Sequence, residues 1–167
     1  MEKVTNITVE DTEKAVVTKD AVNILDLLLG ADIGKIKVPY MDVEITRLSE
    51  VFGAPFVVRC EALSPDKYEE LQEMAVTIQG KDVDMDISTF QKLTVIEGVK
   101  ATVTDQDGNR TAGGLLLKNA DLMSKFKAQT PKELCKMLFL SGEVATLYQH
   151  ISALSGFSDG AVKEIKN

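Results

Sequence analysis

The spacing of apolar residues is irregular at the start of the chain and becomes helical from residue 20. Residues 1–17 mix charges and threonines with isolated valines, so we predict a flexible N-terminal arm there. From residue 20 the apolar positions repeat at helical spacing, and Gly30 follows where a helix commonly ends. We predict a helix over 20–29 that packs on the domain or on a partner, because its apolar stripe is wide. The residues of that stripe are Val22, Leu25, Leu28 and Leu29.

Alternating apolar and polar residues predict β-strands between residues 35 and 63. The first alternating stretch ends at Tyr40, and a second begins at Val43 with its phase shifted by one residue, which indicates a bulge or turn. A third stretch, from Phe56 to Leu63, follows a loop centred on residues 53–55. These segments together predict a small antiparallel sheet.

Helical spacing returns after residue 63. Ser64-Pro65-Asp66 supplies an N-cap candidate, a proline at the first helical position and an acid in the first turn, so a helix is predicted from here to Gly80. An acidic turn is predicted over 82–86. The next helix is predicted around residues 90–98, although its β-branched residues also allow an extended strand.

The residue pattern over 99–114 predicts a short strand, a turn and a loop. Val99 to Val103 has the composition of an extended segment, and Asp-Gly within residues 105–109 favours a tight turn. Thr111–Gly114 is predicted to be the least structured interior stretch. A further helix is predicted over residues 119–126.

The last third carries the clearest helical pattern. Residues 130–133, Thr-Pro-Lys-Glu, form a capping box with proline at the first helical position. The break at residues 141–143 and the apolar spacing on both sides of it predict a helical hairpin that ends at Gly156. A short terminal helix containing Val162 and Ile165 is predicted after it.

These elements predict an α+β fold. A small antiparallel β-sheet in the N-terminal half packs on a mostly helical body that ends in the helical hairpin. We expect a single domain over residues 18–167, β-rich over 35–63 and helical over 64–167. A chain of 167 residues has the usual length of one domain.

Composition and charge narrow the class of protein. With 44% hydrophobic and 27% charged residues the chain is typical of a globular protein. A net charge of −7 disfavours nucleic-acid binding, because phosphate backbones are repelled. The sequence contains no apolar run long enough to span a membrane, and its first residues do not resemble a secretion signal. We therefore expect a cytoplasmic protein.

Catalytic and metal-binding patterns are missing from the sequence. The single histidine, His150, is expected on a solvated helix face, and no zinc-ligand spacing includes Cys60 and Cys135. Those two cysteines are expected to be reduced and buried rather than bridged. The acidic residues 82–86 resemble the start of a calcium loop but lack its glycine and final glutamate, so a solvated turn is favoured. We expect no enzyme, no cofactor and no metal.

The predicted helical hairpin contains more apolar residues than are needed to cover one buried face of each helix. Residues 137–140 are apolar all round, which leaves two interpretations: core packing, or a groove for a partner helix. Glu143, at the start of a helix, either stabilises the helix N-terminus or takes part in recognition. The candidate partner-binding residues are Leu134, Leu138, Phe139, Leu140, Glu143, Leu147, Tyr148 and Phe157.

The same hairpin resembles the C-terminal signature of XkdN-like phage tail assembly chaperones. Ser141 stands where that family is expected to have proline, which leaves the helix break intact. A fainter likeness extends back to Phe56–Leu63 and the helix at Pro65. The segments that carry the resemblance are Thr130–Leu134, Met137–Leu147, Ile151–Phe157 and Lys163–Asn167.

The resemblance implies a protein that acts in the host cytoplasm of a phage, prophage or tailocin. Such a chaperone would bind the tape measure protein, keep it soluble and help tail tube subunits assemble around it. The tail tube protein would be a further possible partner, and a homo-oligomer is allowed. Two alternatives remain open: a structural subunit of a contractile tail or baseplate, and an enzyme whose site has no recognisable motif.

Overall fold

The computed structural model describes residues 21–167, so the arm predicted over 1–17 lies outside the described residues. The chain divides into two compact units, with the boundary between Lys37 and Val38. The single domain expected over 18–167 remains a prediction.

The first unit contains one short helix in its described part. Helix α1 spans Ile24–Gly30, which confirms the predicted helix, and a 3-10 turn follows at Ile33–Lys35. The Asn23 side chain caps α1 by accepting hydrogen bonds from the Leu25 and Asp26 amides, at 3.0 and 3.4 Å. No residue of α1 is buried.

The second unit contains a four-stranded antiparallel sheet. Its strands are β1 (Tyr40–Glu44), β2 (Val57–Glu61), β5 (Val99–Thr104) and β6 (Arg110–Leu115), in the order β1-β2-β5-β6. Val43 lies opposite Val58, and Cys60 opposite Val99, so these apolar side chains share the inner face. The predicted α+β class with an antiparallel sheet is confirmed, and the sheet gains two strands from beyond residue 98.

A charged cluster lies on the outer face of this sheet. The Arg59 guanidinium on β2 donates to both Asp42 carboxylate oxygens on β1, at 2.7 and 3.1 Å, and lies 4.0 Å above the Tyr40 ring. Arg110 approaches the same carboxylate at 3.5 Å. These hydrogen bonds hold the pKa of Asp42 below its ordinary value. Cross-strand pairing of opposite charges favours the observed register.

The segment before β2 differs from the prediction. Strand structure is predicted from residue 35, but β1 begins only at Tyr40, and the Ile36 amide instead donates to the Ile33 carbonyl within the 3-10 turn. The bulge or turn predicted before Val43 is wrong, because β1 pairs with β2 without interruption from Tyr40 to Glu44. The chain then continues as helix α2, Thr46–Phe52. Buried Leu48 lies three residues after buried Ile45, a helical spacing that so short a segment hides.

Helix α3 begins as predicted but ends early. It spans Pro65–Ala75, with the Ser64 hydroxyl accepting from the Lys67 amide at 3.2 Å. Beyond it, strands β3 (Val76–Gln79) and β4 (Asp82–Met85) form a two-stranded hairpin. The helix predicted to reach Gly80 is therefore wrong, because the β-branched residues after Ala75 favour an extended backbone.

The acidic turn predicted over 82–86 is also wrong. Asp82 and Asp84 belong to β4, while Asp86 caps the next helix, α4, which spans Ile87–Gly98. The two Asp86 carboxylate oxygens accept from the Thr89 amide and hydroxyl, at 3.1 and 2.9 Å. The helix predicted around residues 90–98 is confirmed, and the extended alternative is not.

The loop predicted at Thr111–Gly114 is in fact the edge strand β6. Thr111 pairs with Val103, and Ala112 pairs with Thr102, across the turn at residues 105–109. Ladder hydrogen bonds require only backbone groups, so small residues in this strand do not prevent pairing. The predicted helix over 119–126 is confirmed as α5, Ala120–Phe126.

The two helices predicted for the hairpin are found as α6 (Pro131–Leu138) and α7 (Ser141–Ser152). The Thr130 hydroxyl accepts from the Glu133 amide at 3.2 Å as predicted, whereas the Glu133 carboxylate accepts from the Gln129 amide at 2.7 Å. The capping box therefore differs from the prediction in one hydrogen bond, because the Glu133 carboxylate binds the amide of residue 129 instead of that of Thr130.

The chain ends differently from the prediction. A wide turn at Ala153–Phe157 follows α7, and the terminal helix expected to contain Val162 and Ile165 is not formed. Those two side chains are 92% and 80% exposed, so no burial of an apolar face stabilises a helix there.

Helices α4 and α7 form the centre of the core together with the inner face of the sheet. Gly98 at the end of α4 lies directly against Ile151 of α7, whose side chain is fully buried. A Cβ atom on residue 98 would lie 2.6 Å from the Ile151 Cδ1 atom, so only glycine allows this close approach of the two helices.

A candidate partner-binding groove

A groove with a volume of about 430 Å³ opens between the end of β1 and helix α7. We call it the α7 groove. One wall comes from the β1–α2 junction and the other from the start and middle of α7. The residues that line it are Val43, Glu44, Ile45, Thr46, Leu140, Gly142, Glu143, Thr146, Leu147 and His150.

Residue size along one face of α7 explains the depth of the groove. Gly142 and Thr146 are small and lie four residues apart, so they leave space along the helix. Leu147, 1% exposed, belongs to the core beneath, while Leu140 at the entrance of α7 is 57% exposed. The groove therefore presents apolar groups to solvent although most of the core is closed.

Arg47 and Glu143 fix the two walls relative to each other. Arg47, in the first turn of α2, donates from Nε to Glu143 Oε2 at 3.0 Å and from Nη2 to Glu143 Oε1 at 2.8 Å. The same Nη2 atom donates to the Leu138 carbonyl at the end of α6, at 2.8 Å. A planar guanidinium suits this two-pronged contact, which ties α2 to both helices of the hairpin.

Glu143 also completes the N-terminus of α7. Its Oε1 atom accepts from the Leu140 amide at 2.8 Å, one of the amides that a helix start leaves without an intrahelical partner. Hydrogen bonds from Arg47, and then from that amide, hold the pKa of Glu143 below its ordinary value despite partial burial. Of the two interpretations of Glu143, the geometry favours stabilisation of the helix N-terminus.

Two of the eight candidate residues lie at the opening of the groove, namely Leu140 and Glu143. Leu147 lines its floor. Leu134, Leu138 and Phe139 are 0%, 8% and 4% exposed and pack in the main core, so they offer a partner little surface. Partner binding by these residues stays a prediction.

The remaining two candidates, Tyr148 and Phe157, belong to a different surface. Phe157 stacks on Tyr68 with ring centroids 5.0 Å apart, Tyr68 meets Phe90 edge-on at 5.5 Å, and Phe90 meets Tyr148 at 5.9 Å. Burial raises the pKa of the Tyr148 hydroxyl. The row of rings joins α3, α4, α7 and the following turn, and Phe157 remains 59% exposed at its end.

Sequence reasoning missed the wall of the groove formed by residues 43–46, and it missed Arg47. It also expected His150 on a solvated face, whereas His150 is partly buried and lines the groove. The small residues Gly142 and Thr146 on one face of a helix with large apolar neighbours were the available signal for an open groove. Nothing in the sequence indicated which segment would face it.

Within residues 21–167 no group of three or more histidine, cysteine, aspartate or glutamate side chains is arranged to hold a metal ion. The predicted burial of Cys60 and Cys135 is confirmed, and desolvation raises their pKa values to about 12 and about 11. In the same part of the chain no helix has the length and apolar character needed to cross a membrane.

Known proteins agree with the resemblance seen in the hairpin. Residues 25–166 match the family of phage XkdN-like tail assembly chaperone proteins. The fold is similar to the crystal structure of the protein yqbn, with 18% identity and a TM-score of 0.55 over 83% of this chain and 99% of that one. Comparison with curated proteins gives no match. Because the family match covers most of the sequence, the chain belongs to the XkdN-like phage tail assembly chaperones.

Proposed function

We propose that this chaperone binds an apolar helical segment of the tape measure protein in the α7 groove. Binding would keep that segment soluble and promote assembly of the tail tube around it. The observation that carries the proposal is an open, partly apolar groove located on α7, a helix that lies within the residues 25–166 matched by the family. The tail tube protein is a further partner that this role would bring into contact with the complex.

The dimensions of the groove suit a short stretch of helix. Its α7 wall runs from Gly142 to His150, which corresponds to about 12 Å at 1.5 Å per residue. Three apolar side chains at positions i, i+3 or i+4, and i+7 on a partner helix would span about 10.5 Å, close to that distance. Helix-in-groove recognition of this kind depends on a few such anchor side chains.

The charges at the opening suit reversible binding. Glu143 is already paired with Arg47, whereas Glu44 is an exposed acid on the groove, so a partner helix with a basic residue beside its apolar stripe would be favoured there. A contact of this size is below that of a stable permanent interface, which allows release when tube subunits replace the chaperone. The role requires no chemistry, and we propose a protein without catalytic activity that works in the host cytoplasm.

Copurification tests the proposal. The chain and a tagged tape measure protein are expressed together, and the yield of the soluble complex is compared among variants. Thr146→Arg fills the groove and Leu140→Asp places a charge at its opening, so both should reduce recovery of the complex at least tenfold. Ile78→Asp changes an equally accessible apolar residue, 72% exposed on the β3–β4 hairpin, and should have no effect.

Two results would contradict the proposal. Equal recovery of tape measure protein with all three variants would exclude the α7 groove as the binding site. A tape measure protein that stays soluble and monodisperse when expressed alone would remove the need for a chaperone. Mass spectrometry of purified particles addresses the alternative, because a structural subunit would be retained in them and a chaperone would not.

A further inference from the structure

Residues 22–37 expose far more apolar surface than a monomer usually leaves in water. Eight large apolar side chains in this segment are between 56% and 85% exposed. Helix α1 and the 3-10 turn are nevertheless ordered, each with a capping side chain. The eight residues are Val22, Ile24, Leu25, Leu27, Leu28, Leu29, Ile33 and Ile36.

We propose that this segment is a self-association surface on which a second copy of the chain packs. Area is the first argument. At roughly 100 Å² of accessible surface each, eight such side chains offer on the order of 800 Å² per copy, which is about the area that one partner contributes to a standard stable interface. A two-fold pair would bury the same patch on both copies.

Charge is the second argument, and it specifies the direction of packing. Residues 22–37 contain two acids, Asp26 and Asp32, and two bases, Lys35 and Lys37, so the segment is neutral although the whole chain carries −7. In an antiparallel two-fold pair, Asp26 of each copy approaches the two lysines of the other. A parallel pair would place like charges together, so the antiparallel arrangement is favoured.

The width of the apolar stripe is the third argument. Five of the seven residues of α1 are large and apolar, and they cover more than half of the helix circumference at 100° per residue. A single flat contact buries only part of such a stripe. A second copy supplies its own α1 and also Ile33 and Ile36, which follow that helix in the chain. Together these two groups can cover the full width of the stripe.

Sedimentation equilibrium of the full chain from about 1 to 100 µM tests the proposal. The wild type is expected to show twice the monomer mass, and Leu25→Asp with Leu28→Asp is expected to show the monomer mass. Ile78→Asp serves as the matched control, because it charges an exposed apolar residue outside the segment and should leave the dimer unchanged. Circular dichroism checks that each variant retains its helical content.

A charge exchange tests the antiparallel arrangement without altering the apolar residues. Asp26→Lys should weaken the dimer about tenfold, and adding Lys35→Glu and Lys37→Glu should restore it. The proposal is overturned if the wild type is monomeric throughout this range or if the double leucine variant remains dimeric. It is also overturned if Asp26→Lys alone leaves the dissociation constant unchanged, or if adding Lys35→Glu and Lys37→Glu fails to restore it. None of these outcomes depends on the α7 groove, so the proposed function is tested separately.

Discussion

Replacing Gly98 by alanine tests the close packing of α4 on α7. A Cβ atom at this position would lie 2.6 Å from Ile151 Cδ1 and 3.0 Å from both Cγ atoms, and Ile151 is fully buried, so a shift of its side chain disturbs the surrounding core. Overpacking of a core typically costs about 1–3 kcal/mol. The better helix propensity of alanine offsets up to about 1 kcal/mol of that cost. We expect Gly98→Ala to lower the free energy of unfolding by about 1–2 kcal/mol.

Thermal and urea unfolding measure this change. In a chain of this size, a loss of about 1–2 kcal/mol lowers the Tm by roughly 2–8 °C. Gly142→Ala is the matched control, since a Cβ there meets no atom within 4 Å, and it should be neutral or slightly stabilising. Ile151→Val should lower the free energy of unfolding less in the Gly98→Ala background than in the wild type. The reason is that valine lacks the Cδ1 atom, which lies closest to the new Cβ. Gly98→Ala as stable as the wild type would refute the packing described.

Three further predictions concern charge, thiols and the chain end. Glu143→Gln should be less stable than the wild type near pH 7. Because the pKa of Glu143 is lowered on folding, this difference in the free energy of unfolding should shrink as the pH falls below about 4. Urea unfolding at several pH values measures it. Cys60 and Cys135 should react with a thiol reagent at pH 8 far more slowly in the folded than in the unfolded protein, because desolvation raises both pKa values; rapid labelling without denaturant would contradict their burial. Removal of residues 162–167 should leave the Tm unchanged within about 1 °C, since Val162 and Ile165 are almost fully exposed; a larger loss would indicate packing of the chain end.

Sequence patterns predicted elements best where local signals agree. The helix starts at Pro65 and Pro131 combine a capping hydroxyl with proline at the first position, and both are found as predicted. The hairpin, α4 and strand β2 were predicted for similar reasons, because their apolar spacing is regular over several turns or pairs. The fold class and the family were therefore accessible from sequence.

The errors lie where short segments satisfy two patterns at once. Residues 43–48 alternate like a strand at first and then continue with helical spacing, so only the backbone pairing with β2 decides that the strand ends at Glu44. Val76–Gln79 continues the apolar spacing of α3 but pairs with β4. Thr111–Gly114 has no apolar pattern, and its place in the sheet depends on the partner strand β5 alone.

The candidate site was the least accessible part for a related reason. Sequence identified apolar residues in the hairpin, but burial of Leu134, Leu138 and Phe139 and exposure of Leu140 depend on which elements pack against each face. The groove exists because residues 43–46 approach α7, and no local pattern reports that approach. Arg47 is missed in the same way, since its partner Glu143 is distant in sequence.

The distance in sequence between the two walls of the α7 groove has a consequence for synthesis in the cell. A ribosome completes the wall at residues 43–46 long before it reaches residues 140–150, and Arg47 has no carboxylate to bind until Glu143 has left the exit tunnel. A chain that ends before residue 140 therefore contains no groove. Under the function proposed above, such a product cannot capture a client in the α7 groove and cannot sequester tail components there.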